Sequence, residues 1–211
     1  MSMFRSTLVS EGSSDQALIP AIDWLLRQHV PADLQTTWAD LRDLPNPPRD
    51  LDSKLLKAAQ LYPCELLCIH RDGDREGRAP RVREIRRALS QAFPEKPQPA
   101  VCVIPVRSLE SWFLFDETAI RMASSNPRGR EALNLPPLRS LEALAKPRER
   151  LQECVRAASG PRRRRKREMT PHQALRRIAE LTRDFTPLRE LPTFRAFEDE
   201  LVQTLQKHGW A

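Results

Sequence analysis

Two hydrophobic periods alternate along the first 125 residues, and they predict strands interleaved with helices. A β-rich run, FRSTLVS (4–10), meets EGSSDQ and then ALIPAIDWLLRQHV (17–30), whose apolar positions suit a helix. Ser13 and Gln16 have the spacing of a capping box at the start of that helix. LQTTWAD (34–40) predicts a second strand, and NPP breaks the chain before LDSKLLKAAQLY (51–62), a second helix. CELLCIH (64–70) is almost wholly apolar before His70, as expected of a strand buried on both faces. RVREIRRALSQAF (81–93) is amphipathic, with Val82, Ile85, Leu89 and Phe93 at helical spacing. PAVCVIPV (99–106) predicts a fourth strand, and SLESWFLFDETAIRMA (108–123) predicts a helix.

Strands alternating with helices predict an α/β layer with a mainly parallel sheet. Ligands of such sheets bind beyond the carboxyl ends of the strands. The unusual polar residues follow three strand ends: Glu11, then Asp72 and Asp74, then Ser108 and Glu110. Independent strand ends are therefore expected to converge on one edge. Residues 138–158 and 170–208 read as helical, and between them lies GPRRRRKRE. The expected organisation is an α/β domain over 1–125 and a helical extension over 126–211 that contains the basic segment 162–167. The 19 prolines fall mostly between elements and mark boundaries.

Charge adds a second constraint. Lys and Arg total 35 against 28 Asp and Glu, a net charge of +7. That balance favours an anionic partner, nucleic acid first. No apolar run approaches the roughly 20 residues that span a bilayer, and the opening MSMFRSTLVSEG lacks a signal-peptide apolar region. Cys64, Cys68, Cys102 and Cys154 form no C-x-x-C pair. A zinc site or disulfide framework is not expected, a reducing compartment fits, and the expected location is the cytoplasm.

Against that basic background, LCIHRDGDREGR (67–78) concentrates acid at one point. The start of the loop imitates a calcium-binding EF-hand, with acids at positions one, three and five and glycine at six. Position twelve is Arg83 instead of Glu, and a strand precedes the loop where an EF-hand needs a helix. A plain turn is a second reading, since Asp and Gly tolerate turn geometry. The third reading joins the loop to the other strand ends. Glu11, Asp15, Asp72, Asp74 and Glu110 in one place would repel and raise each other's pKa values. A hard divalent cation removes that penalty, and Mg²⁺ or Mn²⁺ suits carboxylate oxygens. One or two such ions can activate water and stabilise the leaving oxygen of a phosphodiester.

The three motifs together resemble the Toprim (topoisomerase–primase) fold. SEGSSD (10–15) is similar to the E-G-x-x-D motif that follows the first strand of Toprim domains, HRDGDREG (70–77) to their D-x-D motif, and RSLESW (107–112) to the S-x-E element of OLD-family nucleases. The resemblance covers most of residues 5–120. It implies a Rossmann-like sheet and a Mg²⁺- or Mn²⁺-dependent nuclease acting on DNA or RNA. By that resemblance Glu11 binds metal and takes part in acid–base chemistry, while Asp15, Asp72 and Asp74 complete the metal shell. Ser108 and Glu110 support a second ion, and a lysine beyond the S-x-E element stabilises the transition state. Lys146 and Lys166 are both candidates for that lysine. LEALAKPRERL and LPTFRAFEDELVQTL resemble the C-terminal part of small stand-alone Toprim proteins, found beside ATPase partners in phage-defence gene clusters. The chain holds no Walker-type G-x-x-x-x-G-K-[ST], so such an ATPase would be a separate subunit. The alternative implied is a catalytically silent or partner-dependent Toprim module that binds nucleic acid or that ATPase. A topoisomerase fits less well, because the only tyrosine is Tyr62, just before the third strand.

Several other residues carry two readings. Arg162, Arg163, Arg164, Arg165, Lys166 and Arg167 are either phosphate contacts or a solvated loop. Arg107, beside the S-x-E element, either holds a scissile phosphate or makes a surface ion pair. Trp112 is expected in the core, where aromatics of an apolar helix usually lie. His70 is expected as a hydrogen-bonded neighbour of the site, since Mg²⁺ prefers oxygen.

Overall fold

The computed structural model describes residues 3–163 and 169–211. Four parallel strands form one sheet: β1 (Met3–Val9), β2 (Asp33–Trp38), β3 (Leu66–His70) and β4 (Ala100–Val103), in the order β2-β1-β3-β4. The α/β expectation is met, and all four strands fall within the predicted runs or a residue of them. β1 pairs with β2 on one side (Leu8 opposite Trp38) and with β3 on the other (Val9 opposite Ile69). The order reverses between β1 and β3, so their carboxyl ends flank the crevice where such sheets bind ligands.

Strand side chains point alternately to the two faces, and each face builds its own core. Phe4, Leu8, Leu66, Cys68, Val101 and Val103 belong to one cluster. Val9, Leu67, Ile69, Ala100 and Cys102 belong to the other. Every residue of β3 is buried, as its unbroken apolar run requires. The second face is covered by α2 (Leu51–Leu61) and α3 (Arg78–Ala92), through Leu55, Ala58, Ile85 and Ala88. The first face takes α1 (Ile19–Arg27), α4 (Glu117–Ala123), α5 (Pro147–Arg163), α6 (Pro171–Leu181) and α7 (Pro192–His208).

Four predicted helices are interrupted, each for a local reason. The first splits into a 3-10 turn over Ser13–Leu18 and α1, with Pro20 in the opening turn of α1. Proline has no N–H to continue the helical ladder backward and suits a first turn. The capping role expected of Ser13 and Gln16 belongs to Gly12 and Asp15: the Asp15 carboxylate accepts the Gly12 N–H at 3.0 Å. Residues 108–123 divide likewise into a 3-10 helix, Leu109–Phe113, and α4, where Asp116 caps the Ala119 N–H at 2.9 Å. In the C-terminal region Pro147, Pro171 and Pro192 begin α5, α6 and α7.

Residues 126–211 share the core of the sheet. Phe194, Phe197, Leu201 and Leu205 of α7 lie in the same cluster as Phe4 and Leu8 of β1. Glu200 of α7 also pairs with Arg78, at 2.8 Å, and with Arg86, both on α3. The chain on either side of residue 125 therefore closes over one core. Among the described residues, no helix is long and apolar enough to cross a membrane.

Candidate metal centre

The carboxyl ends of β1, β3 and β4 each lead into one of the acidic motifs. Loop-to-loop contacts hold the last two motifs together. The Gly73 N–H donates to the Pro105 carbonyl at 2.9 Å, and Asp74 makes an antiparallel bridge with Arg107. A Cβ on Gly73 would stand 2.9 Å from that Pro105 oxygen, so the approach requires glycine. Asp74 and Arg107 both have positive φ, 47° and 65°. That conformation is uncommon outside glycine, easier for Asp than for Arg, and it concentrates at functional sites. Gly77, with φ 77° and ψ −167°, then turns the chain into α3.

Glu110 is carried into the protein by its neighbours. Leu109, Trp112 and Phe113 are fully buried, and Trp112 packs on Phe194 and Phe197 with ring centroids 5.1 and 6.3 Å away. Trp112 is thus a core residue, as expected. Glu110 itself is 3% exposed. Its Oε1 accepts from Arg148 Nε at 2.8 Å, and its Oε2 is buried without a hydrogen-bond partner. An unpartnered oxygen on a buried carboxylate is costly and calls for an unseen partner.

Asp72 presents a second such oxygen. Its Oδ1 is buried without a hydrogen-bond partner and lies 3.5 Å from His70 Nε2. The other ring nitrogen, Nδ1, is 2.9 Å from the Val103 carbonyl and therefore donates. His70 is thus the hydrogen-bonded neighbour expected. Burial pushes the Asp72 carboxyl up to about 6; Asp15, Glu110 and Asp74 push it the same way, and His70 opposes them. Those carboxylates act on Asp72 because the strand ends bring them within electrostatic reach. Asp15 is buried in the first turn after β1, its oxygens accepting from Gly12 N–H and from Ser14 Oγ at 3.1 Å.

The remaining acids are held by arginines. Glu11 accepts from Arg71 Nη1, and Arg71 Nη2 reaches Glu84 at 2.6 Å. Asp74 accepts from Arg81 at 2.7 Å, and Arg81 also donates to Glu84 and to the Asp72 carbonyl. Arg148 is held in its charged form first by Glu110, then by Asp72 and Asp15. Among the described residues, no three His, Cys, Asp or Glu side chains form a ready metal cage. The donor set nonetheless suits a hard cation. Its donors are carboxylate oxygens, and two of them, Asp72 Oδ1 and Glu110 Oε2, are buried and unpartnered.

Not every predicted residue reaches this place. Lys146 pairs with Glu149 at 2.9 Å and is largely exposed, while Arg148, two residues on, reaches Glu110. Ser108 occupies the N-cap position of the 3-10 helix that carries Glu110, without a capping hydrogen bond from its side chain. Arg162 and Arg163 lie past the kink that Gly160 (φ 67°, ψ 169°) makes near the end of α5, and Arg164, Arg165, Lys166 and Arg167 lie outside the described residues. Arg71, Arg81, Glu84 and Arg148 were not singled out from sequence. Arg71 borders the D-x-D motif and Arg148 lies in LEALAKPRERL, signals that the sequence offers; Arg81 and Glu84 stand further on, in α3. No family model, curated protein or solved structure matches the chain.

Proposed function

We propose that the protein is a Mg²⁺- or Mn²⁺-dependent nuclease that hydrolyses phosphodiester bonds of DNA or RNA, with a Toprim-like centre. The observation that carries this reading is the pair of buried, unpartnered oxygens, Asp72 Oδ1 and Glu110 Oε2. They stand at the ends of adjacent strands in a protein of net charge +7. Asp72, Glu110 and Asp15 are the residues to hold the cation, with Glu11 and Asp74 joining them in exchange for their arginines. The ion, when bound, would supply Lewis acidity toward a phosphoryl oxygen and orient the attacking water.

The chain's own residues do the rest. Arg148 neutralises Glu110 and keeps about half of its side chain in solvent, so a phosphoryl oxygen can share its guanidinium. Arg71 and Arg81, once freed from Glu11 and Asp74, offer two more forks for phosphate. His70, its ring fixed by the Val103 carbonyl, keeps Nε2 3.5 Å from Asp72 Oδ1.

One observation favours the second reading, a partner-dependent module that binds nucleic acid or an ATPase subunit without turnover of its own. Arginines hold Glu11, Asp74 and Glu110 in this state, so assembly of the centre needs a trigger. The deciding experiment is cleavage of supercoiled plasmid and structured RNA with EDTA, Mg²⁺ or Mn²⁺, beside Glu110→Gln and Asp72→Asn. Metal-dependent cleavage lost in both variants is expected. Cleavage that survives both substitutions overturns the assignment, and metal binding without cleavage selects the module.

A further inference from the structure

A second polar feature lies on the opposite face of the sheet from Glu110. α2 and α3 pack side by side there, and between their outer surfaces runs a groove of about 620 Å³. Arg49 and Lys54 stand on one wall, Arg83 and Arg87 on the other. Glu11 and Arg71, the ion pair that borders the acidic centre, also line the groove.

The charges in this groove are unevenly satisfied. Of the five arginines on α3, Arg78 and Arg86 pair with Glu200, and Arg81 pairs with Asp74 and Glu84. The two on the groove, Arg83 and Arg87, make no ion pair among the described residues, and neither do Arg49 and Lys54. Asp50 and Asp52 are the acids left free in the lining, both at the start of α2, where that helix's own dipole favours them. Arg83 and Arg87 are one turn apart, about 6 Å along the axis. The cations thus come from both helices onto one groove that Glu11 also lines, an arrangement suited to a chain of phosphates. The lining contains no aromatic side chain, so the groove has no platform on which a base could stack.

From these features we infer that the α2–α3 groove is a track for the phosphodiester backbone of a single nucleic-acid strand, which it guides to the acidic centre without reading sequence. The inference extends the nuclease reading, because it gives the substrate of that centre a path. Backbone contacts fix register and carry no base information. Each neutralised phosphate releases counterions, with a slope of about −0.7 in log K against log salt per contact on a single strand.

The test is fluorescence anisotropy of labelled oligothymidylate and oligouridylate over a salt series, in EDTA so that cleavage cannot interfere. Proteins compared are the wild type, Arg83→Ala/Arg87→Ala and Arg49→Ala/Lys54→Ala, with thermal melting to confirm folding. Each double variant is expected to bind at least about tenfold more weakly, with a salt slope shallower by about 1.4. Should a double variant melt early, the milder Arg83→Gln/Arg87→Gln is expected to show the same loss. Wild-type affinity and slope in these folded variants overturn the track, as does a wild type that binds neither oligonucleotide. Cleavage abolished by Glu110→Gln, with groove variants that bind normally, rejects the track and leaves the nuclease. Binding lost in the groove variants, with no metal-dependent cleavage, leaves the track and rejects the nuclease.

Discussion

The two faces of the sheet are covered in different ways. On one, Trp112, Phe113, Phe185, Phe194 and Phe197 are fully buried, and the buried Glu110 shares a 3-10 helix with Trp112 and Phe113. On the other, two helices cover the strands with aliphatic residues, and their outer surfaces diverge into a cationic groove. The first face can fix a carboxylate rigidly, because close-packed aromatics leave its backbone little freedom. The second leaves cations in solvent, where they can meet a long anion. Edge residues between the faces, Glu11 and Arg71, belong to both the acidic centre and the groove.

The comparison breaks most readily at its aromatic side. Trp112→Ala should cost about 3–5 kcal/mol in urea unfolding, and the loss of packing should loosen Glu110 as well. If it costs under about 1 kcal/mol, the aromatic face is not what fixes the acid. Next in size is chemistry: Glu110→Gln should lower metal-dependent cleavage by at least about a hundredfold, about 2.7 kcal/mol at 1.36 per decade, while the melting temperature stays near wild type. Gly73→Ala sharpens the link between the two acidic loops. Its new Cβ meets the Pro105 carbonyl at 2.9 Å, so one loop must move, at about 1–3 kcal/mol by thermal unfolding. An unchanged melting temperature would mean the loops are not held together there.

The last effect is a pH slope. Asp72 has its carboxyl raised from 3.8 to about 6. Between those values the folded chain holds more protons at this group than the unfolded chain does, so this contribution falls as pH rises. The loss is complete above about pH 6 and absent below the ordinary carboxyl range. Asp72→Asn should therefore be more stable than wild type at pH 7, with the difference vanishing near pH 4, as measured by unfolding across that range. Equal stability at pH 7 would show that Asp72 is not held in the unfavourable environment described.

Much of this arrangement is legible in local sequence. CELLCIH announces a strand buried on both faces, and acids directly after three strands announce a shared edge. The prolines at 20, 147, 171 and 192 fix helix starts, and a period count that ignores them runs helices together. The arginines were harder to read. Arg71 meets Glu11 across 60 residues of chain, and Arg148 meets Glu110 across 38. Such pairs follow from strand order and helix packing, which no local window contains. The same reason hid the groove: Arg49 and Lys54 face Arg83 and Arg87 only because α2 and α3 pack on the same face. Lys146 illustrates the converse. A plausible residue type at a plausible distance from S-x-E turned to Glu149, and its neighbour Arg148 reached the acid.

The central claim is that buried oxygens of Asp72 and Glu110 await a hard cation, and calorimetric titration with Mn²⁺ tests it most directly. Wild type should bind Mn²⁺ saturably and melt at a higher temperature with the ion present, while Glu110→Gln and Asp72→Asn bind it at least about tenfold more weakly. A folded wild type that takes up no Mn²⁺, or variants that bind it as tightly as wild type, would contradict the account.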